Sequence, residues 1–316
     1  MRSPLLDLPG AVAADGSDRD VAAHYGSFNG EQRTLEGGDG FVDLSHRDVL
    51  RVSGPDRLTW LHSLTTQHLE TLPPKVWTGV LILSPQGHVE HAFFGYDDGE
   101  SFTAHTEPGA AAALVEFLDR MRFMMRVEVA DVTDALAVTW RPSAAGEGPY
   151  AGYELVPRDQ LTAYAEAAGP ACGLWAFEAL RIARGEPRLG LDTDHRTIPN
   201  EAGWVGPAVH LDKGCYRGQE TVARVHTLGR PPRRLTLLHL DGSENRLPTI
   251  GADLLLGDKV VGFVGTSARH HELGPIALAM VKRNVPLDAQ LTVEGMPAAQ
   301  EVLVDPEVGL HVRPLR

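Results

Sequence analysis

The last third of the chain most limits the folds open to it. Beyond Pro231-Pro232 the sequence breaks into five short extended runs, 235–240, 260–265, 276–281, 291–293 and 302–304, separated by turn-forming residues. Runs this short cannot carry a helical bundle. Their regular spacing predicts a small antiparallel barrel or jelly roll over 231–316.

Upstream, the pattern mixes helix and strand. The first forty residues are rich in Gly, Asp and Ser, end in Glu36-Gly37-Gly38-Asp39-Gly40, and read as a weakly structured extension, 1–40. The packed fold is expected to start at Phe41. Residues 49–53 alternate like a strand, and Ser53-Gly54-Pro55-Asp56 leads into a helix with Leu58, Leu61 and Leu64 on one face. Segments 76–83 and 89–96, joined by Ser84-Pro85-Gln86-Gly87, predict a hairpin. A helix over 110–121 puts Leu114, Phe117, Leu118 and Met121 in phase, and 127–129 returns to an extended pattern. A loop over 141–152, with Pro142, Gly146, Gly148 and Pro149, precedes a strand at 153–156. A second helix over 174–183 stops before Gly185 and Pro187.

With 316 residues, 43% of them hydrophobic, the chain can bury a core of two or three domains. Its net charge of −13 opposes non-specific binding to nucleic acid. Arg217, Arg224, Arg230, Arg233 and Arg234 lie close in sequence, either as a positive cleft for a carboxylate or polyglutamate ligand or as a solvated surface. Asp7, Asp15, Asp18 and Asp20 interrupt any apolar stretch near the N-terminus, and no later run could span a bilayer, so neither leader nor membrane segment is expected. Two cysteines without CxxC spacing suit a reducing compartment, and a cytoplasmic location is expected.

The densest unusual segment is Lys213-Gly214-Cys215-Tyr216-Arg217-Gly218-Gln219-Glu220. Two glycines allow a tight loop, and Lys213 and Arg217, two residues either side of Cys215, would favour a thiolate. Spacing alone nevertheless prefers a buried, inert cysteine. Cys172, just before the apolar helix, reads as core. His270-His271-Glu272 would diverge on a strand, and His88 and His91 lack zincin spacing, so no metal ligands are expected. No phosphate-cradling or dinucleotide fingerprint is present.

The segment Lys213 to Glu220, continued by Val222-Ala223-Arg224, resembles the KGCYxGQE signature of the YgfZ family, folate-binding proteins that maintain iron–sulfur enzymes. Ala179-Leu180-Arg181-Ile182, with Gly185, Pro187, Gly190, Asp192, Asp194, Pro199 and Glu201-Ala202-Gly203, resembles a stretch shared by that family and the glycine-cleavage T-protein. Phe41-Val42-Asp43-Leu44-Ser45-His46, Val52-Ser53-Gly54-Pro55-Asp56 and Gly265-Thr266-Ser267 extend the likeness over nearly all of the chain after residue 40.

The resemblance implies an α+β protein: a ring of two folate-binding lobes over 41–230 and a C-terminal antiparallel barrel, with tetrahydrofolate or a one-carbon derivative in the central opening. By motif position, Glu154 resembles the carboxylate that meets the pterin ring and Arg181 the arginine facing the p-aminobenzoyl-glutamate end; a carboxylate and a planar guanidinium suit those partners. Where the transferases carry Gly-Gly-x-x-Asp-Asp, this chain reads Gln86-Gly87-His88-Val89-Glu90-His91. Glu90 retains a carboxylate, but its extra methylene moves the charge by about 1 Å, enough to cost around 10²-fold in rate.

These departures favour a non-transferase that supports assembly or repair of [4Fe–4S] enzymes. Cys215 would be available for thiol chemistry or transient cluster contact, and client enzymes or cluster carriers would be the partners. A folate-dependent aminomethyltransferase or demethylase, and a folate-independent thiol redox protein, are the alternatives.

Overall fold

The computed structural model describes residues 1–142 and 150–310. The chain divides into two compact units, one of Met1–Leu81 with His91–Phe177, the other of Ile82–Glu90 with the chain from Glu178 onward.

A five-stranded sheet, most of it in the first unit, takes the order Thr78–Leu83, Val89–Asp97, Ser101–Thr106, Asp48–Ser53, Glu128–Asp131. Thr78–Leu83 and Ser101–Thr106 are buried along their whole length. The hairpin expected around residue 85 is present. A second sheet orders Tyr153–Pro157, Leu136–Trp140, Phe41–Asp43 and Ala171–Cys172, antiparallel except for the last pair. Most of the predicted loop over 141–152 lies outside the described residues.

The helix Arg57–Leu64 buries Trp60 and Leu61, whereas Leu58 and Leu64 are only half-buried. It ends where Thr65 turns extended, its N–H and hydroxyl both donating to the Leu61 carbonyl at 3.0 and 2.7 Å. In the helix Ala111–Met121, Leu114 and Leu118 face the core, but Met121, expected in phase with them, is 43% exposed.

The first forty residues correct the expectation of a weakly structured extension. They hold the helix Phe28–Glu36 and a paired ribbon of Val12–Ala13 with Ala22–His24, and they bury Leu5, Val21, Ala22, Ala23 and Leu35. The buried Glu31 carboxylate accepts the N–H groups of Tyr25, Ser27 and Gly173 at 2.9, 3.1 and 2.8 Å. An acid that meets three donors orders a segment whose composition alone reads as loop.

In the second unit, Arg233–Leu240, Gly274–Lys282, Lys259–His270, Asp253–Leu256, Leu291–Val293 and Met296–Val302 close into an antiparallel barrel in that order. The barrel expected from the sequence is therefore present, with two differences. Asp253–Leu256 is an additional strand, and the last strand is Met296–Val302 and not 302–304. In Met-Pro-Ala-Ala-Gln-Glu-Val only Met296 and Ala298 are buried, and one buried alanine barely marks the alternation. Leu238, Leu254, Val264, Ala279, Val293 and Met296 fill the interior, while Ala179 and Ile182 pack on an outer layer of Leu235, Leu237, Ile276 and Met280.

Candidate functional site

In the second unit, the cysteine motif leads directly into the helix Gln219–Leu228. Gly218 starts that helix in the left-handed region, at φ +79°, and a Cβ there would lie 2.5 Å from the Ser84 carbonyl oxygen. The facing Gly87, at φ +84°, would bring a Cβ within 2.7 Å of Thr221. Two glycines thus let the hairpin turn rest against the start of the motif helix. The turn is closed by Ser84 N–H to His88 O at 2.7 Å and fixed by Val89 N–H to Thr197 O at 2.9 Å. Gly214, by contrast, has open space around its Cα.

Glu90, at the foot of this turn, accepts a bond from the Arg217 guanidinium at 3.1 Å. Cys215 is exposed, which overturns the buried, inert reading that spacing alone preferred. Its two flanking cations are occupied elsewhere: Arg217 by Glu90, and buried Lys213 by the face of Tyr216, 5.2 Å from the ring centroid. Burial pushes the Tyr216 phenol up to about 12. Glu220 and Arg224 pair across one helical turn at the surface.

Arg181 is buried, and its fork is filled. It donates to Glu178 at 3.1 and 2.6 Å, to Asp192 at 3.1 Å, to the Thr266 hydroxyl at 2.6 Å and to the Glu186 carbonyl at 2.5 Å. Burial opposes the charge, yet Glu178 and Asp192 more than offset it and raise its pKa. Asp192 also accepts Thr266 N–H at 2.6 Å and Arg188 N–H at 2.8 Å. This geometry gives Arg181 a structural task, holding the end of its helix to the Thr266 strand, in place of the ligand contact its motif position implies.

The arginine cluster does not form a common cleft either. Arg217, Arg224, Arg230 and Arg233 pair with Glu90, Glu220, Glu307 and the Asp194–Glu201 pair. Arg234 is buried among neutral acceptors, the carbonyls of Lys282, Arg283 and Val285 at 3.2–3.3 Å and Gln300 Oε1 at 2.8 Å, and burial lowers its pKa.

In the first unit, Glu154 lies on the strand Tyr153–Pro157. Its Oε2 accepts the Tyr164 hydroxyl at 2.6 Å and lies 3.3 Å from Arg141 Nε. Gly152 ahead of it has φ +99°, and a Cβ would fall 2.4 Å from the Trp140 indole nitrogen. The neighbouring Tyr153 points to the opposite face, since successive strand residues alternate. There it joins a cluster that the sequence did not reveal. His105 and Trp77 lie 4.6 and 5.6 Å from its ring, and the Arg47 guanidinium lies 5.6 Å from Tyr153 and 5.7 Å from Phe177. Burial, and then Arg47, hold the His105 pKa far below its usual value. Arg47 Nε and His105 Nε2 are buried without a hydrogen-bond partner. Strand alternation groups His105 with Ser101 and Thr103 on the polar side of a strand that is buried on both faces, and nothing local links it to residues 47, 77 and 153.

His270 and His271, expected to diverge, instead stack with ring centroids 4.9 Å apart.

No family model matches the chain. A putative transferase, chloroplastic, of Arabidopsis thaliana is 26% identical over 79% of this chain and 68% of its own length. An aminomethyltransferase of Streptomyces coelicolor is 26% identical over 86% of each chain. A mitochondrial iron–sulfur cluster assembly factor IBA57 homolog of Pyricularia oryzae is 26% identical over 62% of this chain and 56% of its own. Among solved structures, the glycine cleavage system aminomethyltransferase T of Bartonella henselae superposes with a TM-score of 0.77 over 96% of this chain and 97% of that one, at 17% identity. The chain thus has the fold of the glycine-cleavage T-protein, and its sequence is similar to the aminomethyltransferases over most of its length.

Proposed function

We propose that this protein binds tetrahydrofolate or a one-carbon derivative and supports the assembly or repair of iron–sulfur enzymes, chiefly [4Fe–4S] ones, and that it is not an aminomethyltransferase. One observation carries the reading. At the hairpin position where the transferases hold paired aspartates, the carboxylate of Glu90 is committed to Arg217, two residues from an exposed Cys215. A carboxylate bonded to a guanidinium must give up that bond to serve a substrate, and an exposed thiol is accessible for exchange or cluster contact. The similarity to an iron–sulfur assembly factor homolog supports the same reading.

The first unit offers chemistry that fits a folate. Glu154 keeps Oε1 outside its bonds to Tyr164 and Arg141, so it can accept donors from an aminopyrimidinone edge. Glu154 is assigned to the pterin edge, and the filled fork of Arg181 removes it from direct contact in this reading. Two unbridged thiols suit a reducing compartment such as the cytoplasm, where client enzymes or cluster carriers would be the partners.

Calorimetric titration with tetrahydrofolate is the test, run beside a glycine-cleavage assay. Binding on the micromolar scale, about −8 kcal/mol, is expected, weakened by roughly 1–3 kcal/mol in Glu154→Gln, which leaves one pterin donor facing an amide nitrogen. No methylene-tetrahydrofolate should form above background. Absence of heat with every reduced folate would remove the cofactor, and multiple turnover would restore the transferase alternative, which the 86% overlap with an aminomethyltransferase keeps in view.

A further inference from the structure

Three side chains of the first unit, all within nine residues of the chain and without a recognisable ligand motif, converge beside the helix Arg57–Leu64. His62 lies in the last turn of that helix, and His68 and Glu70 follow it. One ring nitrogen of each histidine and a carboxylate oxygen of Glu70 all lie within 4.8 Å of one another. The two imidazoles meet edge to face, with centroids 4.7 Å apart and planes at 89°.

The backbone that carries them is fixed independently of any ion. Leu61 and Leu69, adjacent to His62 and to both His68 and Glu70, are fully buried. Thr65 is tied to the Leu61 carbonyl, Thr66 N–H donates to the Leu81 carbonyl at 3.0 Å, and Leu81 N–H donates to the Thr66 hydroxyl at 3.1 Å. Leu69 N–H reaches His62 Nδ1 at 3.3 Å, which docks the far end of the loop on the first imidazole.

We propose that His62, His68 and Glu70 bind a first-row divalent transition-metal ion of the zinc type. Two imidazoles and a carboxylate suit zinc and its neighbours, whereas magnesium and calcium prefer oxygen alone. In a tetrahedral site with bonds of about 2.0–2.1 Å, ligand atoms sit about 3.3 Å apart. Rotation of exposed Glu70 and of the two half-buried imidazoles about their side-chain bonds closes the difference from 4.8 Å. The long Leu69 bond is what coordination through either nitrogen of His62 exchanges for a metal bond, by displacement or by moving the ring proton to Nδ1. Three protein ligands leave a fourth position for water or a substrate atom.

The test uses the full chain, stripped with a chelator and titrated with Zn²⁺ by calorimetry and with Co²⁺ by absorption. One ion should bind per chain in the wild type and equally in Cys215→Ser. His62→Gln and His68→Gln should each weaken binding roughly tenfold or more, because each deletes a direct ligand, and Glu70→Gln should weaken it less. Glu70 is exposed, so that variant reports on the site even if a histidine variant misfolds, and circular dichroism identifies such a case. Unchanged affinity in both Glu70→Gln and a folded His68→Gln would overturn the proposal, as would a Co²⁺ spectrum with thiolate bands that vanish in Cys215→Ser.

Discussion

Two places in the second unit, the Arg181 centre and the Cys215 loop, stand out equally in the sequence and are opposites in the structure. Arg181 lies in the interior with its donors divided among Glu178, Asp192, Thr266 and Glu186. Cys215 lies at the surface on a segment held from outside by the contact of Gly218 with the hairpin turn. A motif residue that is buried and saturated is doing support, because any ligand would have to displace bonds already made. A motif residue that is exposed, on a segment pinned by its neighbours, is available to react. Burial and satisfied donors separate the two roles where motif position does not.

The largest effect that could break this contrast is at Arg181. Arg181→Ala leaves Asp192 buried with one cation removed and Glu178 with the longer pair to Arg188 at 3.5 Å, and breaking such a buried pair costs about 3–5 kcal/mol. Urea denaturation should show that loss, while tetrahydrofolate affinity of the folded fraction should stay within about a factor of three. A stable Arg181→Ala protein that has lost folate binding would return Arg181 to the ligand and erase the distinction. Gly218→Ala should come next. It forces alanine into a left-handed conformation, worth about 1–2 kcal/mol, and drives a methyl group toward the Ser84 carbonyl, so a loss of roughly 2–3 kcal/mol is expected. Gly214→Ala, where space is open, serves as the control and should cost under about 0.5 kcal/mol.

The sequence made the regular parts legible and missed what depends on distant partners. The helix Leu174–Ala183 has the bounds its periodicity predicts, and the barrel follows from short runs and turn residues. The motif loop is likewise visible, since its glycines and cysteine lie within eight residues. Three things were not legible for one common reason. The order of the first forty residues depends on Glu31 meeting the N–H of Gly173, the task of Arg181 depends on Thr266, and the Arg47, Trp77, His105 and Tyr153 cluster gathers from four separate segments. A residue's role there is decided by a partner more than 40 positions away, and neither propensity nor spacing encodes that partner.

The smallest expected effect on stability belongs to Cys215, and it sharpens the contrast most. An exposed side chain contributes little to folding, so Cys215→Ser should change stability by less than about 0.5 kcal/mol. Reactivity should behave in the opposite way. Cys172 is buried, and burial pushes its thiol up to about 12, so little of it is thiolate at neutral pH. The thiolate is the nucleophile, and access to Cys172 is closed as well. Iodoacetamide followed by peptide mass mapping should therefore label Cys215 at least about a hundredfold faster than Cys172, with the difference disappearing in denaturant, where Cys172 is no longer buried. In a strain lacking the native gene, a Cys215→Ser protein of unchanged stability should restore iron–sulfur enzyme activity less well than wild type. Equal labelling of the two cysteines in the native protein would remove the reactive thiol from the proposed function. Full rescue by the serine variant would leave the glycine-pinned loop as a structural device beside Arg181, with no division of labour between them.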